Sequence, residues 1–173
     1  ILCLSSYKAL NEYKWCDLLT VNPDIEEVFT RQVLEPKEES RLKANIPMMQ
    51  EITDKVSSKV REQYEENPYP RWVNLGLSLR PQTTVQLVKE LNLRIFDDAA
   101  NDRPAPSILI AGCGTGQHSI GTASKFKDCN VLAIDLSLSS LAYAKRKTEE
   151  LGLKNIDYMQ ADILGLGNLD KKF

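Results

Sequence analysis

A glycine-rich turn in the second half of the sequence is suited to bringing a ligand close to the backbone. The turn occupies residues 112–116 and follows Ser107–Ala111, an apolar run typical of a strand buried on both faces of a parallel sheet. Glycine adopts the backbone angles of a tight turn and has no side chain to obstruct a ligand. Because ligands bind at the carboxyl ends of strands in such sheets, we predict a cofactor site here. The residues predicted to bind are Gly112, Cys113, Gly114 and Gly116.

Two aspartates follow the next two apolar runs and can bind the nucleoside part of such a ligand. Asp135 ends the run Asn130–Asp135, 19 residues after Gly116, where a carboxylate can accept hydrogen bonds from both ribose hydroxyls. Asp162 follows a third run, 156–159, and can accept a hydrogen bond from an adenine amino group. The neighbouring residues predicted to line the site are Ala161 and, as apolar walls for the ring, Leu136 and Ile163.

The spacing of the glycines separates two ligand classes that share this arrangement. A dinucleotide-binding turn has the pattern G-x-G-x-x-G, which requires glycine at position 117, but the sequence has Gln117 there. The observed pattern, G-x-G-x-G, suits a ligand without a pyrophosphate, such as an adenosine with a charged amino-acid tail. An NAD-dependent oxidoreductase is therefore disfavoured.

Each of these residues also has a structural interpretation. The glycines can serve only as turn formers, and Asp135 or Asp162 can cap a following helix. His118, the only histidine, is predicted to be a structural residue in the first turn of a helix. Cys113 is predicted to be a small filler beneath the turn. The four cysteines are scattered without a CxxC pair, so we predict reduced thiols and no metal site.

The elements that position these residues alternate between strand and helix. The three apolar runs predict strands, a helix is predicted from the glycine turn to about Phe126, and another runs to about Leu151. Ser137 or Ser139 can cap the second helix, and Gly152 is placed to terminate it. This order predicts an α/β fold with parallel βαβ units and right-handed crossovers.

The first half of the sequence has a helical pattern instead. Apolar residues recur at three- and four-residue spacing up to about Val60, and prolines such as Pro36 are predicted to divide the stretch into short helices. An aromatic, proline-bracketed loop follows at Tyr64–Trp72, then a helix at about Thr83–Leu93 and a polar linker at Asp97–Pro104. The predicted segments are a helical region at 1–60, a loop, helix and linker at 61–103, and the α/β part at 104–173.

Bulk properties exclude several classes of protein. The 173 residues are 42% hydrophobic with a formal net charge of -2, so no overall basic field attracts nucleic acid or anionic lipid. Neither a membrane span nor a signal peptide is recognisable, which predicts a cytoplasmic protein. The chain lacks an initiator Met and stops where another strand is expected, so we predict a fragment. A third strand without a neighbour predicts pairing with a second copy as a homodimer.

These motifs resemble the class I S-adenosylmethionine-dependent methyltransferases, which have a Rossmann-like fold. More narrowly, the stretches Val60–Trp72, Ile108–His118 and Ala133–Ala144 resemble bacterial methyltransferases that carry tetratricopeptide repeats upstream. The resemblance covers the chain from about residue 9 onward, and the repeats themselves are not in this sequence. It implies a parallel sheet truncated after about three strands and preceded by a small helical region.

The resemblance also implies roles for the site residues. The three glycines would pack against the methionine part of S-adenosylmethionine, Asp135 would bind its ribose, and Asp162 would recognise adenine. Many members of the family have an acidic residue two positions before the first glycine, where this chain has Ile110. Arg71 or a backbone carbonyl is therefore predicted to help with the amino-acid end. The Tyr64–Trp72 loop either packs its rings on the sheet or closes over the cofactor as a lid.

Two functional hypotheses remain at this point. The first is methyl transfer to an unidentified acceptor, a protein or peptide if upstream repeats recruit it, with this fragment alone predicted to be inactive. The second is a non-catalytic binding module that uses the cofactor fold as a scaffold or sensor. No catalytic residue is assigned, because methyl transfer from a sulfonium needs alignment and a dry pocket rather than an obligatory general base.

Overall fold

The computed structural model describes residues 1–78, 80–92, 94 and 105–173. The chain divides into two compact units, Ile1–Asn45 and Ile46–Phe173. The division differs from the predicted one, since residue 60 lies inside a helix of the second unit. The predicted linker at 97–104, and with it the predicted boundary at 103, lies outside the described residues.

The first unit is helical, as its spacing predicts. Its core consists of Leu10, Cys16 and Val33. Pro36 does not divide the helix as expected: it lies in the first turn of an α-helix that continues directly from a π-helical turn. The first turn of an α-helix tolerates proline because its N–H groups have no partner within the helix. The elements are α1 (Leu2–Tyr7), 3-10 turns at Leu10–Glu12 and Cys16–Leu18, α2 (Pro23–Phe29), the π-helix Thr30–Leu34 and α3 (Glu35–Lys43).

Two helices open the second unit. The first, α4 (Lys55–Glu66), begins at Asp54, whose carboxylate accepts hydrogen bonds from two backbone N–H groups of the first turn. It extends further than the sequence indicated and ends at Glu66. Pro68, two residues later, is the first proline after the helix begins and cannot donate a backbone hydrogen bond. The second, α5 (Thr84–Glu90), starts with a capping box, and residue 93 of its predicted range is outside the described residues.

A three-stranded parallel sheet with the order β1-β2-β3 forms the centre of the second unit, which confirms the predicted α/β, Rossmann-like fold. The central strand β2 is buried and pairs with both neighbours, so that Ala111 lies beside Ile134, and Asp135 beside Gln160. Ser137 is the cap of the helix that follows β2, and Gly152 follows its end with φ +70°. The elements are β1 (Ser107–Ala111), α6 (Gln117–Lys125), β2 (Asn130–Asp135), α7 (Leu138–Glu150), β3 (Ile156–Gln160) and a 3-10 helix at Ile163–Asn168.

The outer edge of β3 has a backbone partner at its carboxyl end. The N–H of Gln160 donates to the carbonyl of Pro47 at 2.8 Å, and the N–H of Met49 donates to the carbonyl of Gln160 at 2.9 Å. The expectation of a third strand without a neighbour is therefore wrong at this end, because an upstream segment adds to the sheet. A homodimer stays a prediction. Within the described residues, no helix is long and apolar enough to cross a membrane.

Candidate functional site

The turn between β1 and α6 has the left-handed backbone that its glycines allow. Gly112, Gly114 and Gly116 have φ values of +70°, +53° and +86°. At Gly116 the reason is also steric, because a Cβ there would lie 2.6 Å from the Cβ of Ala144 in α7. At Gly112 and Gly114 a Cβ would meet no atom closer than 3.9 Å, and both residues line an open cavity. Gly116 therefore serves packing, whereas the first two glycines leave the backbone accessible.

Asp135 is fixed between this turn and the start of α7. Its Oδ2 accepts a hydrogen bond from the N–H of Gly114 at 2.7 Å, and its Oδ1 accepts one from the N–H of Ser137 at 3.0 Å. The carboxylate therefore has a structural role, but not the predicted one of a helix cap, because the cap of α7 is Ser137. A carboxylate oxygen has the capacity to accept two hydrogen bonds, and each oxygen of Asp135 accepts one here. Both oxygens therefore retain capacity for a ligand hydroxyl.

Asp162 is held at the end of β3 in a similar way. It is buried, and its Oδ1 accepts a hydrogen bond at 2.9 Å from the N–H of Leu164, so it caps the 3-10 helix. Its Oδ2 accepts no hydrogen bond within the described part of the chain. Gln160 ties this strand end to the neighbouring one by donating from its side chain to the carbonyl of Leu136 at 2.7 Å. The two strand ends, with their aspartates, are thus held side by side.

A cavity of about 800 Å³ opens over these strand ends. It brings together eight of the ten residues predicted to bind a cofactor, and the two others, Gly116 and Arg71, do not line it. The predicted residues that do line it are Gly112, Cys113, Gly114, Asp135, Leu136, Ala161, Asp162 and Ile163.

Arg71 has a different environment from the predicted one. Its guanidinium lies 4.9 Å from the ring centroid of Tyr143 in α7, a cation–π distance. Because Arg71 is not among the residues that line the cavity, the structure gives no support to a contact between Arg71 and a ligand carboxylate. Ile110 is buried in β1, so the position two residues before the first glycine supplies no polar anchor either.

Residues 67–72, here called the strap, cross the glycine turn. They are hydrogen-bonded to it through the side chain and the backbone carbonyl of Thr115. The hydroxyl of Thr115 donates to the carbonyl of Pro70 at 2.7 Å, and the indole N–H of Trp72 donates to the carbonyl of Thr115 at 3.0 Å. Trp72 is buried, while Tyr69 is exposed and lines the cavity. Trp72 thus packs with Ile120 of α6 and Tyr143 of α7 rather than on the sheet, and closure of the loop over a cofactor stays a prediction.

One wall of the cavity comes from α4, which the sequence did not assign to the site. Three of its residues, Val56, Val60 and Tyr64, recur at four-residue spacing and so lie on one helix face. This spacing is the signal in the sequence that could have identified an apolar helix face, although it does not reveal which part of the protein the face covers. Together with the cap residue and one serine, the contributed residues are Asp54, Val56, Ser57, Val60 and Tyr64.

Glu65 fixes the end of α4 to the first turn of α7. Its carboxylate accepts hydrogen bonds from the N–H groups of Leu138 and Ser139, and from the Ser139 hydroxyl at 2.7 Å. The hydroxyl of Ser137 donates to the carbonyl of Tyr64 at 3.0 Å. The first N–H groups of a helix have no partner within the helix, and an anion is favoured there. The wall formed by α4 is thereby anchored two residues from Asp135.

The other candidate side chains differ in reactivity and exposure. Burial raises the pKa of the Cys113 thiol, with a smaller contribution from the charge of Asp135. Cys113 is thus a neutral filler, as predicted, and is poorly suited to be a nucleophile. His118 is exposed on the cavity lining and its side chain makes no hydrogen bond with the described residues, so the prediction of a satisfied structural histidine is wrong. Among the described residues, no cluster of three or more His, Cys, Asp or Glu side chains could hold a metal ion.

Comparison with known protein families supports a methyltransferase domain in this part of the chain. Residues 108–173 match the family model described as "Methyltransferase domain". They include the glycine turn, Asp135 and Asp162, but not α4 or the strap. The match supports a methyltransferase domain over these residues, and this family uses S-adenosylmethionine.

Similar proteins act on different acceptors. The chain is 31% identical to (S)-coclaurine N-methyltransferase from Papaver somniferum over 81 residues, which are 47% of this chain and 23% of that protein. It is 34% identical to tRNA (guanine-N(7)-)-methyltransferase from Helicobacter pylori over 74 residues, 43% of this chain and 18% of that protein. The chain thus spans about a fifth of the length of these relatives.

A solved structure of magnesium protoporphyrin IX methyltransferase from Synechocystis, with bound S-adenosylhomocysteine, is also similar. Its sequence identity is 24% and its TM-score 0.43, with 68% of this chain and 55% of that chain covered.

Proposed function

We propose that residues 46–173 bind S-adenosylmethionine in the cavity over the strand ends and belong to an enzyme that transfers its methyl group. One observation carries the proposal: the glycine turn and the carboxylates of Asp135 and Asp162 face a single cavity within the part that matches a methyltransferase domain. Turn formers and helix caps alone would not need to share a cavity.

The donor groups of the cavity fit the parts of this cofactor. Both oxygens of Asp135 retain acceptor capacity for the ribose hydroxyls, and Oδ2 of Asp162 is available to the adenine amino group. Leu136 and Ile163 follow these aspartates and provide apolar surface for the ring. Open space beside Gly112 allows the methionine part to approach the backbone.

The chemistry requires alignment more than acid–base catalysis. When bound, S-adenosylmethionine supplies a methyl group on a sulfonium that reacts by in-line displacement. The aspartates orient the nucleoside, and the wall formed by α4 limits the access of water to the reacting atoms. No residue of the chain needs to act as an obligatory general base, so no catalytic residue is assigned.

The finer parts of the proposal extend beyond the described residues. We propose that the whole protein is cytoplasmic and carries tetratricopeptide repeats upstream, which can deliver an acceptor to the site. We also propose that these 173 residues alone bind cofactor without turnover. The support is the resemblance of Val60–Trp72 to methyltransferases that carry such repeats.

Calorimetric titration of S-adenosylmethionine and S-adenosylhomocysteine tests the proposed cofactor site. We expect binding that weakens at least about tenfold in Asp135→Asn and in Asp162→Asn, because each change replaces an acceptor oxygen by an amide group that donates. The matched control is Asp157→Asn, an exposed aspartate of β3 outside this cavity, which leaves the affinity unchanged. Circular dichroism of each variant checks that it is folded.

The result that would contradict the proposal requires a second binding measurement on a longer protein. If the chain and a folded version extended through further strands both fail to bind either ligand, the assignment is wrong. If the extended protein binds the cofactor but transfers no methyl group to any acceptor in a cell extract with isotopically labelled cofactor, the scaffold or sensor hypothesis is favoured instead.

A further inference from the structure

The mouth of the cavity is surrounded by exposed apolar and aromatic side chains. Val56 and Tyr69 are the most exposed on the side of α4 and the strap, at 71% and 74%. Val60 and Tyr64 continue the same surface, and within the described residues neither tyrosine hydroxyl makes a hydrogen bond. The adenine ring of the cofactor is already assigned to Leu136 and Ile163. The surface of α4 and the strap therefore remains for a second ligand.

Carboxylates predominate among the titratable side chains of the cavity lining. The described lining residues include Asp54, Asp135 and Asp162 and one histidine, His118, but no lysine or arginine. The N–H group of Ser57, and to a smaller extent that of Val56, lowers the pKa of Asp54, so this carboxylate is ionised at neutral pH. S-adenosylmethionine carries one net positive charge, which leaves the loaded cavity negative. An anionic acceptor is repelled there, whereas a cationic one is attracted.

We propose that the methyl acceptor is a small amine with an apolar body, held between α4 and Tyr69. This inference rests on the proposed function and names the substrate class of the same site. The amine enters as a cation attracted by the carboxylates and by the faces of Tyr64 and Tyr69. Its apolar body covers Val56 and Val60. The cavity, at about 800 Å³, lies in the upper part of the range of ~300–1,000 Å³ that is usual for small-molecule sites.

The reaction of an amine is balanced without any further reactant. The ammonium first loses a proton to water, which frees the nitrogen lone pair. The lone pair forms a bond to the methyl carbon while the bond between carbon and sulfur breaks, and its electron pair stays on sulfur. The products are a methylated ammonium and the neutral thioether S-adenosylhomocysteine.

Three probes of similar shape and different charge test the proposal. Phenethylamine, phenethyl alcohol and hydrocinnamate are titrated by ligand-observed NMR into the protein saturated with S-adenosylhomocysteine. We expect phenethylamine to bind at least about tenfold more tightly than hydrocinnamate, with the alcohol between them, because the lining carboxylates favour the cation. Equal or tighter binding of hydrocinnamate would overturn the proposal, and so would the absence of binding by all three.

A variant that removes one charge tests whether the preference for the cationic probe arises at the cavity wall formed by α4. Asp54→Asn preserves the helix cap, since asparagine caps as well as aspartate, but removes one lining charge. We expect the ratio between phenethylamine and hydrocinnamate affinities to fall about threefold or more, because one of three attracting charges is lost. Asp157→Asn is the control with an unchanged ratio. An unchanged ratio in Asp54→Asn would overturn the assignment to this wall.

The same experiment separates the two proposals. If neither the chain nor the extended protein binds S-adenosylhomocysteine, the proposed function fails, and the amine acceptor that rests on it fails too. If it binds S-adenosylhomocysteine and prefers the anionic probe, the proposed function stands and the amine acceptor is excluded.

Discussion

At Gly116 the backbone has a φ of +86°, and a Cβ built there would lie 2.6 Å from the Cβ of Ala144. We expect Gly116→Ala to lower the free energy of unfolding by about 3 kcal/mol, because strain at positive φ and overpacking against α7 act together. Denaturation with urea measures the change. The matched control is Gly121→Ala inside α6, where a Cβ meets nothing within 4 Å and where alanine favours the helix.

The buried thiol of Cys113 makes stability depend on pH. Its folded pKa is raised by burial, whereas an unfolded thiol titrates near ~8.5, so above that pH only the unfolded state loses the proton. We expect the free energy of unfolding to fall as pH rises past about 8.5, by up to ~1.4 kcal/mol per pH unit from this residue. Denaturation midpoints between pH 7 and 10 measure it.

Cys113→Ala is the control for this pH dependence. Cys129 and Tyr158 also have pKa values raised by burial, so the variant should retain a smaller fall in stability with pH. A pH profile identical to that of the unchanged protein would show that the Cys113 thiol is not the source. In the native state we expect Ellman's reagent to modify the exposed Cys3 quickly and Cys113 only after unfolding.

The site residues that the sequence predicted correctly are those that lie near the carboxyl end of a strand. Gly112, Asp135 and Asp162 each lie within two residues of the end of a strand, and the parallel sheet brings the three strand ends to one edge. The environment of Arg71 could not be predicted in this way. Its partner is the ring of Tyr143, a residue on a later helix, and no local spacing encodes that contact.

At the junction between α4 and α7, the Glu65 carboxylate accepts hydrogen bonds from two N–H groups of α7. We expect Glu65→Ala to destabilise the fold by about 1–2 kcal/mol, because the first N–H groups of α7 lose an anionic acceptor in a partly buried setting. Glu65→Gln should recover part of the loss, since an amide oxygen still accepts. Thermal unfolding compares both with Glu66→Ala, an exposed neighbour; equal effects at residues 65 and 66 would contradict the capping role.

The strands and helices of the second unit follow closely from their residue types. Continuous apolar runs predicted β1, β2 and β3, and the serine and glycine signals predicted both ends of α7. The end of α4 was set too early, because the aromatic residues near Tyr64 suggested a loop although the first proline comes only at Pro68. Tertiary contacts with α7 stabilise this last turn, and they are not visible in local propensity.

On the scale of the whole molecule, the boundary between the units can be tested by truncation. We expect a chain that begins at Ile46 to retain the far-ultraviolet circular dichroism of the sheet and the affinity for S-adenosylhomocysteine, since the second unit has its own core. A chain that begins at Arg61 loses the segment paired with Gln160 and the first half of α4. We expect this shorter chain to lose binding and stability.

The opposite result would support the boundary predicted from the sequence. If the chain from Arg61 binds S-adenosylhomocysteine as tightly as the chain from Ile46, then neither the added backbone segment nor the wall of α4 contributes to the site. The sequence could not indicate this dependence, because the pairing of Met48 with Gln160 joins positions far apart along the chain.

The hydrogen bond from the indole of Trp72 to the carbonyl of Thr115 places a natural chromophore on the glycine turn. The sequence contains two tryptophans, and the other, Trp15, belongs to the first unit. In Trp15→Phe, the emission spectrum would report on Trp72 alone. Any ligand that displaces the strap or alters the polarity around the turn then changes the emission, so occupancy of the cavity could be followed by fluorescence without an attached dye.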